Sequence, residues 1–275
     1  MIIKRVARAK INLCLHVIGQ RSDGYHLLDS VVAFAEYGDV LTFAPSESVT
    51  LSINGPFGDG LSGTGDNLIL QAARCFDRKN GQGAAIHLEK NLPVASGIGG
   101  GSADAAAALV GLSELWELPL PDPEKQLALG ADVPICVAGQ PLRMRGIGEV
   151  IEPLELDQDH PMVLVNPNVS VATPKIFKAL NNKDNPAVID GPQTGWIDWL
   201  AKQRNDLQAP AIAHSPVIAN VLQALKQTAP MLSRMSGSGA TCFGLYQTDN
   251  AAQEAALRLS ARHPDWWIQT TRLTT

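Results

Sequence analysis

At 275 residues, 45% hydrophobic and 18% charged, the chain can bury a large core in one long domain or two smaller ones. Its net charge of −5, without a long basic run, argues against nucleic acid as a main partner, because phosphate-backbone binding needs a clustered positive surface. No apolar stretch has transmembrane length, and no signal-like apolar core follows Lys4, Arg5, Arg8 and Lys10, so a cytoplasmic protein without membrane association is expected.

In chain order, Leu13, Leu15 and Val17 alternate with Asn12, Cys14 and His16, which predicts a strand. Asp23-Gly24 predicts a turn. Val31 to Phe34 and Val40 to Phe43 read as two strands joined at Tyr37-Gly38-Asp39, and Val49 to Ile53 as another. Asp66 to Lys79 reads as a helix capped by Asp66, followed by a strand at Ala85 to Leu88. Asp104 opens an alanine-rich helix that runs to about Trp116, and Val133 to Val137 reads as a short strand.

The pattern starts again near Glu152-Pro153. Met162 to Val165, Ser233 to Met235, Thr241 to Tyr246 and Trp266 to Thr271 read as strands. Helical patterns fall at Pro174 to Leu180, Trp196 to Ala201, Leu207 to Ile212, Val217 to Gln227 and Ala251 to Arg262. Asn181 to Gly195, rich in Asn, Asp, Pro and Gly, reads as a surface loop. Hairpins with interspersed helices predict an α+β fold rather than a doubly wound parallel sheet. The four cysteines, Cys14, Cys75, Cys136 and Cys242, are too scattered for a zinc site and suit a reducing compartment.

The most informative stretch runs Pro93-Val94-Ala95-Ser96-Gly97-Ile98-Gly99-Gly100-Gly101-Ser102-Ala103 into the alanine helix. Glycine permits positive φ and removes the side chain that would bar a close anion. Successive backbone N–H groups then form a concave nest, and the helix N-terminus adds its dipole. A nucleotide phosphate is the expected ligand. Lacking Gly-Lys-Ser/Thr, the loop is not a Walker A motif, and its spacing does not fit a dinucleotide fingerprint.

Phosphoryl transfer further needs a group that orients or deprotonates the nucleophile and a cation near the transferred group. Lys10, before the first alternating strand, and Asp132, in Leu129-Gly130-Ala131-Asp132-Val133-Pro134, are candidates as a pair. Alone, Lys10 reads first as a solvated lysine at a strand edge and Asp132 as a turn or cap residue; the two become candidates only as a pair. Ser236-Gly237-Ser238-Gly239-Ala240 is a second small-residue turn, either a tight hairpin or a backbone approach to a ligand. Tyr25 and Phe177 are either core aromatics or the two faces of a slot for a planar base.

In this order the motifs resemble the galactokinase, homoserine kinase, mevalonate kinase and phosphomevalonate kinase superfamily. The phrases Ala9-Lys10-Ile11-Asn12-Leu13-Cys14-Leu15 and Gly19-Gln20-Arg21-Ser22-Asp23-Gly24-Tyr25-His26 are similar to those of its branch acting on 4-diphosphocytidyl-2-C-methyl-D-erythritol in the non-mevalonate isoprenoid pathway. The resemblance covers nearly the whole chain. It implies a two-domain kinase fold. Residues 1–153 would form an ATP-binding domain like domain 2 of ribosomal protein S5, and 154–275 a ferredoxin-like substrate domain. It also implies ATP and Mg2+, transfer to the 2-hydroxyl of the methylerythritol moiety, no metal ligand from the protein, and a monomer or weak homodimer.

Carried over residue by residue, the resemblance makes Lys10 and Asp132 the catalytic pair, with Asp132 the base. Pro93 to Ala103 would hold the triphosphate, and Asn67, Leu68 and Lys90 would lie near the ATP base. Asn12, Tyr25, His26, Thr173, Phe177, Gly237 and Gly239 would bind the substrate, with cytosine between Tyr25 and Phe177 and its edge met by the His26 backbone. Departures are Ile98 for the usual Leu, the hydroxyl of Ser96, Ala240 where Pro is frequent, and a short Pro119 to Leu127 stretch. Two other readings compete. A homoserine or mevalonate kinase would have no base for the Asp23-to-His26 phrase to read, and a silent nucleotide binder would have no need of Lys10 and Asp132.

Overall fold

The computed structural model describes residues 2–79, 81–156, 158–191 and 195–274. The elements in order are β1 (Ile3–Gln20), β2 (His26–Ser46), β3 (Val49–Asn54), α1 (Leu68–Arg74), β4 (Gly83–Glu89), α2 (Gly100–Trp116), α3 (Pro123–Leu129) and α4 (Val133–Ala138). Then follow β5 (Leu142–Gly146), β6 (Val150–Pro153), β7 (His160–Asn166), α5 (Thr173–Lys178), α6 (Trp196–Ala201) and α7 (Gln208–His214). The last are α8 (Val217–Lys226), β8 (Leu232–Met235), β9 (Cys242–Leu245), α9 (Asp249–Arg262) and β10 (Trp267–Thr274). The mixture is α+β, as expected. Except for parallel β3–β4, the strand pairs with a defined register are antiparallel.

The chain divides into two compact units, neither continuous in sequence. The first comprises Met1–Ala9, Tyr37–Val94 and Gly99–Gly139; the second comprises Lys10–Glu36, Ala95–Ile98 and Gln140–Thr275. β1 and β2 each contribute to both, so the sequence motifs at their ends belong to different units.

In the first unit β4 pairs β3 on one side and β2 on the other, with Val40 opposite Glu89 and Ser46 opposite Gly83. Its core joins Leu41, Phe43, Ile86 and Leu88 of these strands to Ile69 and Ala72 of α1 and to Ala105, Ala108, Leu109 and Leu112 of α2. Small residues let α2 lie close to the sheet. A Cβ on Gly111 would stand 2.4 Å from the ring of Phe43.

In the second unit β2 pairs β5 and β10, and the order continues β10–β7–β9–β8. β7 is buried along its whole length. Ile218, Val221, Leu222 and Leu225, spaced for one face of α8, pack into a core with Val163, Val165, Ala252, Ala255 and Leu259.

Several expected elements differ. β2 is one strand rather than two, because Gly38 is not a turn residue. Its Cα lies where a Cβ would come 2.1 Å from the Ala7 carbonyl of β1, a close backbone approach inside a sheet. β1 is buried on both faces from Ala9 to Val17, so its alternation does not mark one wet side. The first helix is shorter than Asp66 to Lys79 and is capped by Asn67, whose Oδ1 accepts the Ile69 N–H at 2.9 Å. Val133 to Val137 is helical, not a strand. Pro134 suits a first helical turn, and a short apolar run does not distinguish the two states. The alanine helix begins at Gly100, four residues before Asp104. Strands β5 and β6 were not among the expected elements. Residues 192–194 of the expected Asn181 to Gly195 loop lie outside the described residues. Within the rest, Val188 is buried and donates its N–H to Asp29 at 3.0 Å.

Candidate active site

The glycine loop is held rather than slack. In the second unit the carbonyls of Ala95, Ser96, Gly97 and Ile98 accept bonds from Val171 N–H (3.1 Å), Thr241 N–H (3.0 Å), Ser236 Oγ (3.0 Å) and Lys10 N–H (2.9 Å). Carbonyls engaged on the protein side are the orientation a nest of N–H groups requires. Positive φ recurs at Ala95 (50°), Gly97 (79°) and Gly99 (67°). A Cβ on Gly97 would meet the Ser236 carbonyl at 2.5 Å, so no larger residue fits.

Gly99 then caps α2 in the first unit. It supplies no side-chain bond, and the first turn of α2 holds no acidic residue. A 17-residue helix thus presents an uncapped N-terminus, where unpaired N–H groups and the dipole favour an anion.

Other residues expected near a nucleotide lie in the same unit. Leu68, the first residue of α1, approaches Gly101 of α2, and the Oγ of Ser102 lies near Gly130. Asn67 is engaged as the α1 cap. Pro93 is buried and Val94 exposed. Lys90 is buried, with its Nζ 2.5 Å from carboxylate oxygens of both Asp39 and Asp104. Asp132 is the N-cap residue of α4, half-buried, with no side-chain bond to that helix. Among the described residues no group of three or more His, Cys, Asp or Glu could hold a metal ion.

The second unit contains the remaining candidates. Lys10 is a buried residue of β1. Two positions on, Asn12 donates Nδ2 to Ser30 Oγ (2.8 Å), and Ser30 donates to the Cys14 carbonyl (2.6 Å). Asn12 N–H donates to Ser236 Oγ (3.1 Å), while its Oδ1 is buried with no protein donor. That orphan oxygen is an acceptor available to a ligand hydroxyl. A Cβ on Gly237 would come 3.3 Å from the same oxygen.

The Ser236-to-Ala240 turn is supported by Asn205, whose Nδ2 donates to the Met235 and Gly237 carbonyls, each at 2.8 Å. Ser238 Oγ lies 2.8 Å from Thr173 Oγ1 at the start of α5. Gly239, with φ of 83°, faces the Met235 sulfur. Sequence reasoning treated the two glycine turns separately; the second turn is in fact a support of the first.

Tyr25 is 62% exposed, and the His26 ring lies 4.9 Å from Phe177 at an interplanar angle of 30°. Burial, then the nearby Lys183 charge, pushes His26 below its ordinary value, so its imidazole is neutral near pH 7. Its Nε2 is buried without a protein partner.

Sequence reasoning missed Asp39, Asp104 as an ion-pair residue, Ser30 and Asn205. Asn205 carried one readable signal, an Asn just before a helical pattern; its Oδ1 accepts the Leu207 N–H at 2.9 Å. All four cysteines are free thiols. No helix among the described residues is long and apolar enough to cross a membrane.

Two family models match the chain: the N-terminal domain of GHMP kinases over residues 67–141 and the GHMP kinase C-terminal domain over 194–265. The chain is 54% identical over 275 residues to a 4-diphosphocytidyl-2-C-methyl-D-erythritol kinase of Cereibacter sphaeroides, covering 97% of this chain and 98% of that one. It is 52% identical over 277 residues to one of Ruegeria pomeroyi, covering 97% and 98%. A crystal structure of a 4-(cytidine 5'-diphospho)-2C-methyl-D-erythritol kinase superposes with a TM-score of 0.82 at 32% identity, covering 99% of this chain and 100% of that one. A homoserine kinase of Cytophaga hutchinsonii shares the fold at 16% identity and a TM-score of 0.68, covering 100% and 95%.

Proposed function

The chain belongs to the 4-diphosphocytidyl-2-C-methyl-D-erythritol kinases of the GHMP superfamily, and from that premise we propose the site residues and substrate chemistry that follow. The acceptor is the 2-hydroxyl of 4-diphosphocytidyl-2-C-methyl-D-erythritol. Bound ATP supplies the γ-phosphoryl group, with Mg2+ screening its oxygens.

Pro93 to Ala103 hold the triphosphate through backbone N–H groups and the α2 terminus. Asn67, Leu68 and Lys90 line the nucleotide side. Asp132 takes the proton of the acceptor hydroxyl as its oxygen bonds to phosphorus and the bond to the ADP oxygen breaks; Lys10 stabilises charge on the reacting oxygen. Asn12 Oδ1, which has no protein donor, accepts from a hydroxyl of the acceptor.

Tyr25 and Phe177 stack on cytosine, a contact worth roughly 1–3 kcal/mol. The His26 backbone reads the base edge, and Thr173, Gly237 and Gly239 border the same side. The functional division falls near residue 153, with an S5-like ATP domain and a ferredoxin-like substrate domain. The protein works in the cytoplasm as a monomer or weak homodimer.

One observation carries the reading: a glycine loop whose four carbonyls are bonded to the protein leads into an uncapped 17-residue helix. The test is Asp132→Asn. Turnover is expected to fall by about 10²–10⁴, the usual worth of a general base, with the thermal midpoint unchanged. Turnover near that of the wild type would remove Asp132 from this role.

A further inference from the structure

The first unit contains a buried ion cluster whose two carboxylates the roles above do not use. Lys90 follows β4, Asp39 lies in β2, and Asp104 is the fifth residue of α2. The side chains are 4%, 0% and 7% exposed, and Lys90 Nζ is 2.5 Å from Asp39 Oδ2 and 2.5 Å from Asp104 Oδ2. The backbone of Lys90 is fixed as well: its N–H donates to the Asn54 carbonyl at 2.8 Å and its carbonyl accepts the Phe57 N–H at 3.1 Å.

The cluster reaches both flanks of the glycine loop. Asp39 Oδ1 accepts the N–H groups of Asn91 (2.6 Å) and Leu92 (2.8 Å), the two residues before Pro93. Asp104 belongs to the helix whose first turn follows the loop. A Cβ on Gly100, the first residue of α2, would stand 3.2 Å from Lys90 Nζ and 3.9 Å from Leu92 Cβ. The ammonium thus lies against the start of the phosphate-facing helix and is tied to the segment that leads into the loop.

A core built only for stability gains little from this arrangement. Buried ion pairs are often no better than apolar side chains of equal volume. This one also buries two carboxylates against one ammonium and leaves Asp104 Oδ1 with no hydrogen-bond partner. What the ions add over apolar packing is direction: each bond fixes one flank of the loop relative to one point.

We propose that Asp39 and Asp104, acting through Lys90, are positioning residues for nucleotide binding that hold the incoming segment and the following helix of the glycine loop in register. The proposal rests on the kinase reading for the identity of the anion. Neither carboxylate needs to touch the nucleotide. Their removal loosens the cradle, so ATP binding suffers before the acceptor's does.

The test is calorimetric titration of the full chain with ATP alone, beside steady-state kinetics. In Asp104→Ala the Kd and KM for ATP are expected to rise at least ten-fold, while the KM for the cytidyl acceptor stays within two-fold. In Asp104→Asn the amide oxygen still accepts from Lys90, and ATP affinity is expected within three-fold of wild type. A folded Asp104→Ala with unchanged ATP affinity, or with both substrates weakened equally, would overturn the proposal.

Should Asp104→Ala fail to fold, Asp104→Leu fills the space with an apolar group and keeps the Lys90–Asp39 pair; wild-type ATP binding there would overturn it too. A wild-type protein that binds ATP but leaves the cytidyl compound unphosphorylated would sink the acceptor assignment and leave this test intact.

Discussion

Lys90 and Arg234, both buried, are stabilised in opposite ways. Lys90 in the first unit is held by two carboxylates. Arg234 in the second is held by backbone carbonyls, donating to Leu13, to Leu200 at 3.0 Å and to Gln203 at 2.7 Å. Burial alone would drive Lys90 toward its neutral form, but the charges of Asp104 and Asp39 outweigh it and raise its value. Burial also lowers Arg234, yet guanidinium starts so high that it keeps its proton without a carboxylate.

The difference shows what each cation does. Arg234 joins three chain segments with a planar fork and adds no anion. Lys90 brings two anions to the base of the proposed phosphate site, an arrangement that costs electrostatic energy and fixes geometry in return.

Arg234→Met should be the most damaging change to stability. It takes a donor from three buried carbonyls, of which Leu200 keeps the Gln203 N–H at 3.0 Å, and the stability read from urea unfolding should fall by about 2–3 kcal/mol. Arg234→Lys should recover only part of this. A lysine has fewer fixed donors and, without a carboxylate partner, readily loses its proton on burial. If both variants matched wild type, the carbonyl cage would have no structural weight.

A smaller effect sharpens the other half of the comparison. Burial, then the Asp39 charge, raises Asp104 to about 7 against the opposing pull of Lys90. Its unfolded value is about 3.9. Between the two values the folded chain therefore binds more protons than the unfolded chain, so this group's contribution to stability is full at low pH and lost as pH rises through about 7. In Asp104→Asn that contribution is absent. Relative to the variant, wild-type stability should fall between about pH 4 and pH 7 and change little above that. His16 and His26, both lowered chiefly by burial, are common to the two proteins and cancel in the difference. A difference that does not change with pH would mean that Asp104 stays ionised throughout.

The glycine loop of the candidate site and the helix after it were legible because they are local. Glycine, helix dipole and alanine periodicity all lie within Pro93 to Trp116, and the helix lies there, starting at Gly100. What was not legible depends on chain segments distant in sequence. Asp39 and Lys90 are 51 residues apart, and nothing near either one announces the other. Asp104 read as a helix opener because an acidic residue before alanines fits an N-terminus; its burial comes from the sheet below. Gly38 read as a turn because close packing on Ala7 is a tertiary fact. Val133 to Val137 misled because five apolar residues fit a strand or a helix equally.

The measurement that tests the central claim most directly is ADP formation by the purified protein with ATP and Mg2+. The acceptors to compare are 4-diphosphocytidyl-2-C-methyl-D-erythritol, homoserine and mevalonate. Turnover with the cytidyl compound alone, giving a product phosphorylated at the 2-hydroxyl, is the predicted result. Turnover with homoserine or mevalonate in its place, or ATP binding without transfer to any of the three, would contradict it.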